Sequence, residues 1–193
     1  MKDALTIHIK HMVCPRCISA VEHILSTQSI GFKSPILLGE VQLLHPLTDT
    51  QRESLNRALS AQGFELLQDK EDVIINHVKQ LLIEWIHFGR SKPLHMNISQ
   101  YIAQEVGTDY STISKLFSAY EGITIEKYII KQKIERAKEL LIYGEESLTE
   151  ISYQLNYSSP QHLSRQFKQV TGMSASEFQK THRYQMRKPL NEI

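Results

Sequence analysis

Two cysteines in 193 residues, Cys14 and Cys17, are too few for a disulfide framework. In a reducing compartment a close pair points instead to metal or redox chemistry. Long hydrophobic runs are missing as well: no stretch approaches the roughly eighteen uninterrupted apolar residues of a membrane span. The opening Met-Lys-Asp-Ala-Leu-Thr lacks the basic-then-apolar layout of a signal peptide. A cytoplasmic chain without membrane attachment is therefore expected. No nucleophile, base and acid set and no phosphate-cradling loop stands out, so enzymatic function has little support. What is present is an ordinary globular composition, 41% hydrophobic and 22% charged, sufficient for a real core in one large or two small domains.

Net charge is only +1, so its distribution carries more information than its total. Residues 1–70 balance seven basic against seven acidic side chains. Residues 151–188 instead set Arg165, Lys168, Lys180, Arg183, Arg187 and Lys188 against Glu177 alone, a net +5. Such a segment favours polyanions, although a solvated basic face accounts for the charge equally well.

The alternation of Leu5, Ile7 and Ile9 with Thr6 and His8 predicts a strand, followed by a loop over residues 11–17. Ile18, Val21, Ile24 and Leu25 predict a helix to about Gln28, broken by Gly31. The run 36–44 reads as two short strands joined at Gly39-Glu40. Thr48 and Asp49 can cap a helix carrying Leu55, Ala58 and Leu59, ended by Gly63 before a last strand, residues 64–67. This order is the ferredoxin-like βαββαβ arrangement, giving an α+β domain over residues 1–69. Residues 70–193 read as all-helical, beginning with an amphipathic stripe from Ile74 to Ile86 that is read as core, with a break at residues 89–93.

The helical part contains an internal repeat at an offset of fifty residues: Ile113 with Leu163, Ser114 with Ser164, Phe117 with Phe167, Gly122 with Gly172, and Tyr128 with Phe178. Each copy places a short helix, a turn and a second helix in succession, the first copy having the turn shorter by one residue. In a helix-turn-helix the first helix braces the second, whose outer face is left free for a major groove. A connecting helix from about Thr124 to Tyr143 would measure roughly 30 Å, close to the roughly 34 Å of one duplex turn.

The stretch 148–168, Leu-Thr-Glu-Ile-Ser-Tyr-Gln-Leu-Asn-Tyr-Ser-Ser-Pro-Gln-His-Leu-Ser-Arg-Gln-Phe-Lys, followed by Gly172, resembles the AraC/XylS transcriptional regulators. The resemblance spans roughly residues 71–184, and residues 133–141 resemble the linker helix of that family. The chain departs from the family pattern with Ser152 for Ala, Asn156 for Gly, Leu163 for Phe, Ala175 for Pro, and Phe117-Ser118 where Phe-Lys is usual. The resemblance implies a seven-helix domain that binds double-stranded DNA sequence-specifically and works with RNA polymerase or other transcription machinery. By position it assigns base contacts to Gln161, His162 and Arg165. Ser164 and Lys168 share the outward face, with Lys168 better suited to phosphate. On the first reader the outward residues are Ser111, Ser114 and Lys115, with Tyr110 and Thr112 nearby; residues 98–120 carry Lys115 against Glu105 and Asp109, a net −1. The second unit is expected to supply most of the affinity.

Met12-Val-Cys14-Pro-Arg-Cys17, between a strand and a helix, resembles the heavy-metal-associated domain of copper chaperones. Two thiolates at a helix N-terminus would suit Cu(I) or another thiophilic ion, the dipole favouring the deprotonated form. His11 stands where the family has Gly, and tetrahedral zinc would require His8, His11 or a second chain. Metal sensing, a redox pair and packing cysteines remain open readings. The rival functions are a metallochaperone, or a thiol-redox protein, whose helical half docks to a partner.

Overall fold

The computed structural model describes residues 5–89, 97–181 and 188–193. The chain divides into two compact units, Met1–Leu81 with Asn97–Leu116, and Leu82–Met96 with Phe117–Ile193.

In the first unit, β1 (Thr6–Lys10) is followed by α1 (Pro15–Thr27), β2 (Glu40–Gln42), α2 (Asp49–Ser60), β3 (Glu65–Leu67) and α3 (Lys70–Ile83). The three strands form an antiparallel sheet in the order β2-β1-β3. Alternation along β1 buries Ile7 and Ile9 against Val21, Leu25, Val41, Leu55 and Leu59. Thr48 closes a capping box with Gln51 and so starts α2 where its sequence predicts.

The expected βαββαβ sheet of four strands is not formed; three strands are present among the described residues. The segment before Gly39 makes only isolated bridges, Phe32 to Leu43 and Leu37 to Glu40. Between them Pro35 has no N–H to donate to a ladder, and Ile36 and Leu38 turn into the core instead. The Gly39-Glu40 connection is tight as predicted, with Gly39 at φ +73°. An added Cβ there would collide with the Gln80 side chain.

Two helix ends also differ from expectation. Helix α1 begins at Pro15, with Cys14 as its N-cap, so Cys17 lies in the first turn and not in a loop. It stops because Ser29, not Gly31, adopts a left-handed conformation at φ 55°.

In the helical region α4 (Ile98–Val106), α5 (Tyr110–Glu121), α6 (Ile125–Tyr143), α7 (Leu148–Gln154), α8 (Pro160–Thr171) and α9 (Ala175–Thr181) follow. After α3 the chain makes one π-helical turn, Glu84–Phe88, closed by Gly89 at φ 63°. The predicted break there is thus seen at Gly89, while residues 90–93 lie outside the described residues, as do Arg183 and Arg187 of the basic segment. The π-turn buries His87, whose Nε2 lies 2.8 Å from Gln132 Oε1 on α6. Gln132 in turn donates to the Tyr128 hydroxyl and to the Leu190 carbonyl. The buried pair Lys138–Glu135 lies one turn further along α6, and Glu135 also accepts from the Lys188 amide. Buried polar groups are thus satisfied in series, fastening the C-terminal segment along α6.

Candidate nucleic-acid interface

The second helix-turn-helix is built around α6. Ile134, Ala137 and Leu141 pack with Ile151 of α7, Leu163 and Phe167 of α8, and Phe178 of α9. Ser147 and Glu150 form a capping box that starts α7, and the Ser152 hydroxyl, fully buried, is satisfied by the Thr149 carbonyl 2.7 Å away. The departure from Ala at 152 therefore leaves no orphaned polar group. Asn156 takes φ 53°, the left-handed geometry usually left to glycine. Ser159 caps α8 by accepting from the His162 amide, and Pro160 occupies the first helical position, where a missing N–H costs nothing.

These anchors decide the outward face of α8. Leu163 and Phe167 have no exposed surface, whereas Gln161, His162, Arg165 and Lys168 are exposed and Ser164 is half-buried. His162 sits at the helix start, its ring edge-to-face with Tyr157 at 5.2 Å and its Nδ1 3.1 Å from the Ser158 hydroxyl. Arg165 and Lys168 make no ion pair among the described residues. The one acid of this segment, Glu177, accepts from the Ser174 amide and hydroxyl. Those bonds hold its carboxyl below the usual range. Lys168 and Lys180 lower it further through their charge.

Sequence reasoning did not single out Tyr157. Its hydroxyl donates to Gln166 at 2.7 Å, and the Lys133 ammonium of α6 lies 5.0 Å from its ring centre. Burial pushes this phenol up to about 12. One side chain in the turn thereby links α6 to α8. Its aromatic character directly after a left-handed Asn was the available clue.

The first unit repeats the skeleton with a different surface. Phe117 meets Tyr128 edge-to-face at 5.5 Å and 68°, and Phe167 meets Phe178 at 5.6 Å and 73°. Asn97 and Gln100 form the capping box of α4, and Thr124 caps α6. Asp109 begins α5 by accepting from both the amide and the hydroxyl of Thr112, bonds that hold its carboxyl below the ordinary range. Ser111 and Lys115 are exposed and Ser114 half-buried beside the fully buried Ile113. Counted from the left-handed residue, the second turn is one residue longer: Gly107 precedes Ile113 by six positions, Asn156 precedes Leu163 by seven. Counted between helix ends the difference is two, because α7 stops at Gln154. Helix α6 runs unbroken for 19 residues, about 28 Å at 1.5 Å per residue.

The cysteine pair lies at the N-terminus of α1, with its sulfurs 3.3 Å apart and both residues half-buried. Burial, the largest influence, raises the Cys17 thiol, against the expectation that the helix dipole would favour the thiolate. Met12 is fully buried in the core. No group of three or more His, Cys, Asp or Glu that could hold a metal ion occurs among the described residues.

No helix among the described residues is long and apolar enough to cross a membrane. The family model described as a helix-turn-helix domain matches residues 102–181. Over 114 residues the chain is 31% identical to a protein named as HTH-type transcriptional regulator YkgA of Escherichia coli, covering 57% of this chain and 46% of that protein. Over 122 residues it is 25% identical to one named as HTH-type transcriptional regulator YdeC of Bacillus subtilis, covering 63% of this chain and 41% of that protein. The chain thus spans less than half the length of these relatives. Among solved structures, the DNA-binding domain of the global transcriptional factor AdpA, crystallised with a target DNA, superposes with a TM-score of 0.48 at 19% identity, covering 58% of this chain and 95% of that one. The two relatives are transcriptional regulators by name. The C-terminal half of this chain holds a helix-turn-helix domain similar to those of transcriptional regulators.

Proposed function

We propose that this chain is a cytoplasmic, sequence-specific DNA-binding transcriptional regulator of the AraC type, with residues 1–69 as an input domain and residues 70–193 as the DNA-binding domain. The observation that carries this reading is the outward face of α8, where Gln161, His162, Arg165 and Lys168 are exposed while Leu163 and Phe167 are fully buried. Arg165 and Gln161 have the donor patterns that read guanine and adenine edges, and Lys168 suits a phosphate. Ser111, Ser114 and Lys115 of α5 add weaker readout. RNA polymerase or another part of the transcription machinery is the protein partner of this reading.

Selection of bound sequences from a pool of random duplexes tests it. A defined motif should emerge, and Arg165→Ala should weaken binding to that motif by about 1–3 kcal/mol while relaxing preference at one position. No enriched motif would overturn the assignment, and unchanged specificity in the variant would remove Arg165 from base reading.

Input through Cys14 and Cys17 is part of the proposal, supported by the short sulfur–sulfur distance. Cu(I) is the ion that two such thiolates suit. Uptake of Cu(I) by the full chain should be lost when both cysteines become serine, and retention at the original stoichiometry would exclude these thiols as ligands.

A further inference from the structure

We propose that a cleft on the outer face of the N-terminal sheet binds a small organic monocarboxylate with an apolar body. Strand β1 sends Ile7 and Ile9 into the core, which leaves Thr6 and His8 on the opposite face. The strand register sets Glu40, His8 and Leu67 in one row across β2, β1 and β3. Arg52 of α2 and the start of α3 complete the walls of an open cleft of about 680 Å³, within the range of small-molecule sites.

The lining decides the class of ligand. Leu67, Val73 and Ile74 supply apolar surface, and the cations are Arg52 and Lys70. Neither has an ion-pair partner among the described residues, and Arg52 is half-buried. A guanidinium partly removed from water without a carboxylate is under-compensated, and its planar fork matches a carboxylate in bidentate fashion. Glu40 is the one acid in the lining. Burial, the largest influence on His8, lowers its pKa, so at neutral pH the ring is a neutral hydrogen-bonding group. Two cations against one acid leave one positive charge for the ligand to neutralise, which favours a monoanion over a dianion. The apolar wall favours a hydrocarbon or aromatic body over a free inorganic ion.

This inference concerns a site in the first unit and goes beyond the DNA-binding reading, which it neither needs nor tests. The full chain, isotopically labelled, is titrated with naphthylacetate and separately with the neutral naphthylacetamide, and amide shifts are followed by NMR. Saturable shifts at Thr6, His8 and Val73 are expected with the acid, and binding of the amide should be about tenfold weaker. Arg52→Gln should weaken the acid about tenfold, Glu40→Gln should tighten it about twofold, and Arg57→Gln, an exposed position on the same helix outside the lining, should change nothing. Equal affinity for acid and amide would overturn the proposal, as would shifts confined to another surface or no saturable shift at millimolar acid. If Arg52→Gln disturbs the fold, Lys70→Gln, at an exposed position, makes the same measurement, and an unchanged affinity there overturns it equally.

Discussion

The two helix-turn-helix units share a skeleton and differ in what they show to solvent. Caps at Asn97, Asp109 and Thr124 recur at Ser147, Ser159 and Ser174, and an edge-to-face aromatic pair recurs with nearly the same distance and tilt. The outward face of α8 carries Arg165 and Lys168, whereas that of α5 carries Lys115 among serines. Packing constrains the buried set because an interior tolerates little change of volume. The exposed set is free of that constraint and can diverge for recognition. The second unit is additionally braced through Tyr157.

The largest expected effect tests the shared skeleton. Phe117→Ala and Phe167→Ala each remove a fully buried ring from a matching aromatic pair. Each should cost about 3–5 kcal/mol in chemical denaturation; a loss in one of them below about 1 kcal/mol would break the equivalence. The next effect tests the divergent surfaces. Replacing Gln161 and Arg165 by alanine should cost about 1–3 kcal/mol of specific DNA affinity for each base that the pair reads. Replacing Ser111, Ser114 and Lys115 together should cost less, as measured by titration at fixed salt, and a reversed order would assign the dominant reader to α5.

A smaller effect isolates the additional brace. Tyr157→Phe removes the hydroxyl that donates to Gln166 and should destabilise the second unit by about 1 kcal/mol. Thermal melting checks this, and an unaltered midpoint would show the bond to be dispensable. The smallest effect distinguishes the caps. The Asp109 carboxyl titrates below its ordinary range because it is bonded to Thr112, so its stabilising contribution is present above the unfolded carboxylate pKa. That contribution is lost as pH falls through the lower folded value. Ser159 has no such titration. The Thr112 amide resonance should therefore move in acid together with the Asp109 carboxyl, and an amide that stays still would separate the two.

Much of the helical half is legible along the chain because its determinants are local. Thr124 and Gly144 bound α6, Ser147 with Glu150 starts α7, and Ser159-Pro160 starts α8; each acts within a few residues of itself. The inward and outward positions of α8 follow from the spacing of Leu163 and Phe167. The N-terminal sheet region is less legible. Periodicity marks residues 36–38 as apolar, which serves a strand and a buried loop equally well, and here Pro35 and the turn at Gly39 favour the loop. The roles of Tyr157 and His87 depend on Gln166 and Gln132, nine and forty-five positions away, and no local pattern encodes such pairings.

The sequence by itself determined the repeat, the helix caps, the alternation of β1 and the amphipathic character of α5 and α8, because each rests on propensity and periodicity within one element. The tertiary structure alone decided the three-stranded sheet, the raised Cys17 thiol, the polar series along α6 and the cleft beside His8. Those depend on which surfaces lose water and which polar groups meet across elements distant in the chain, and desolvation and pairing are properties of the packed state.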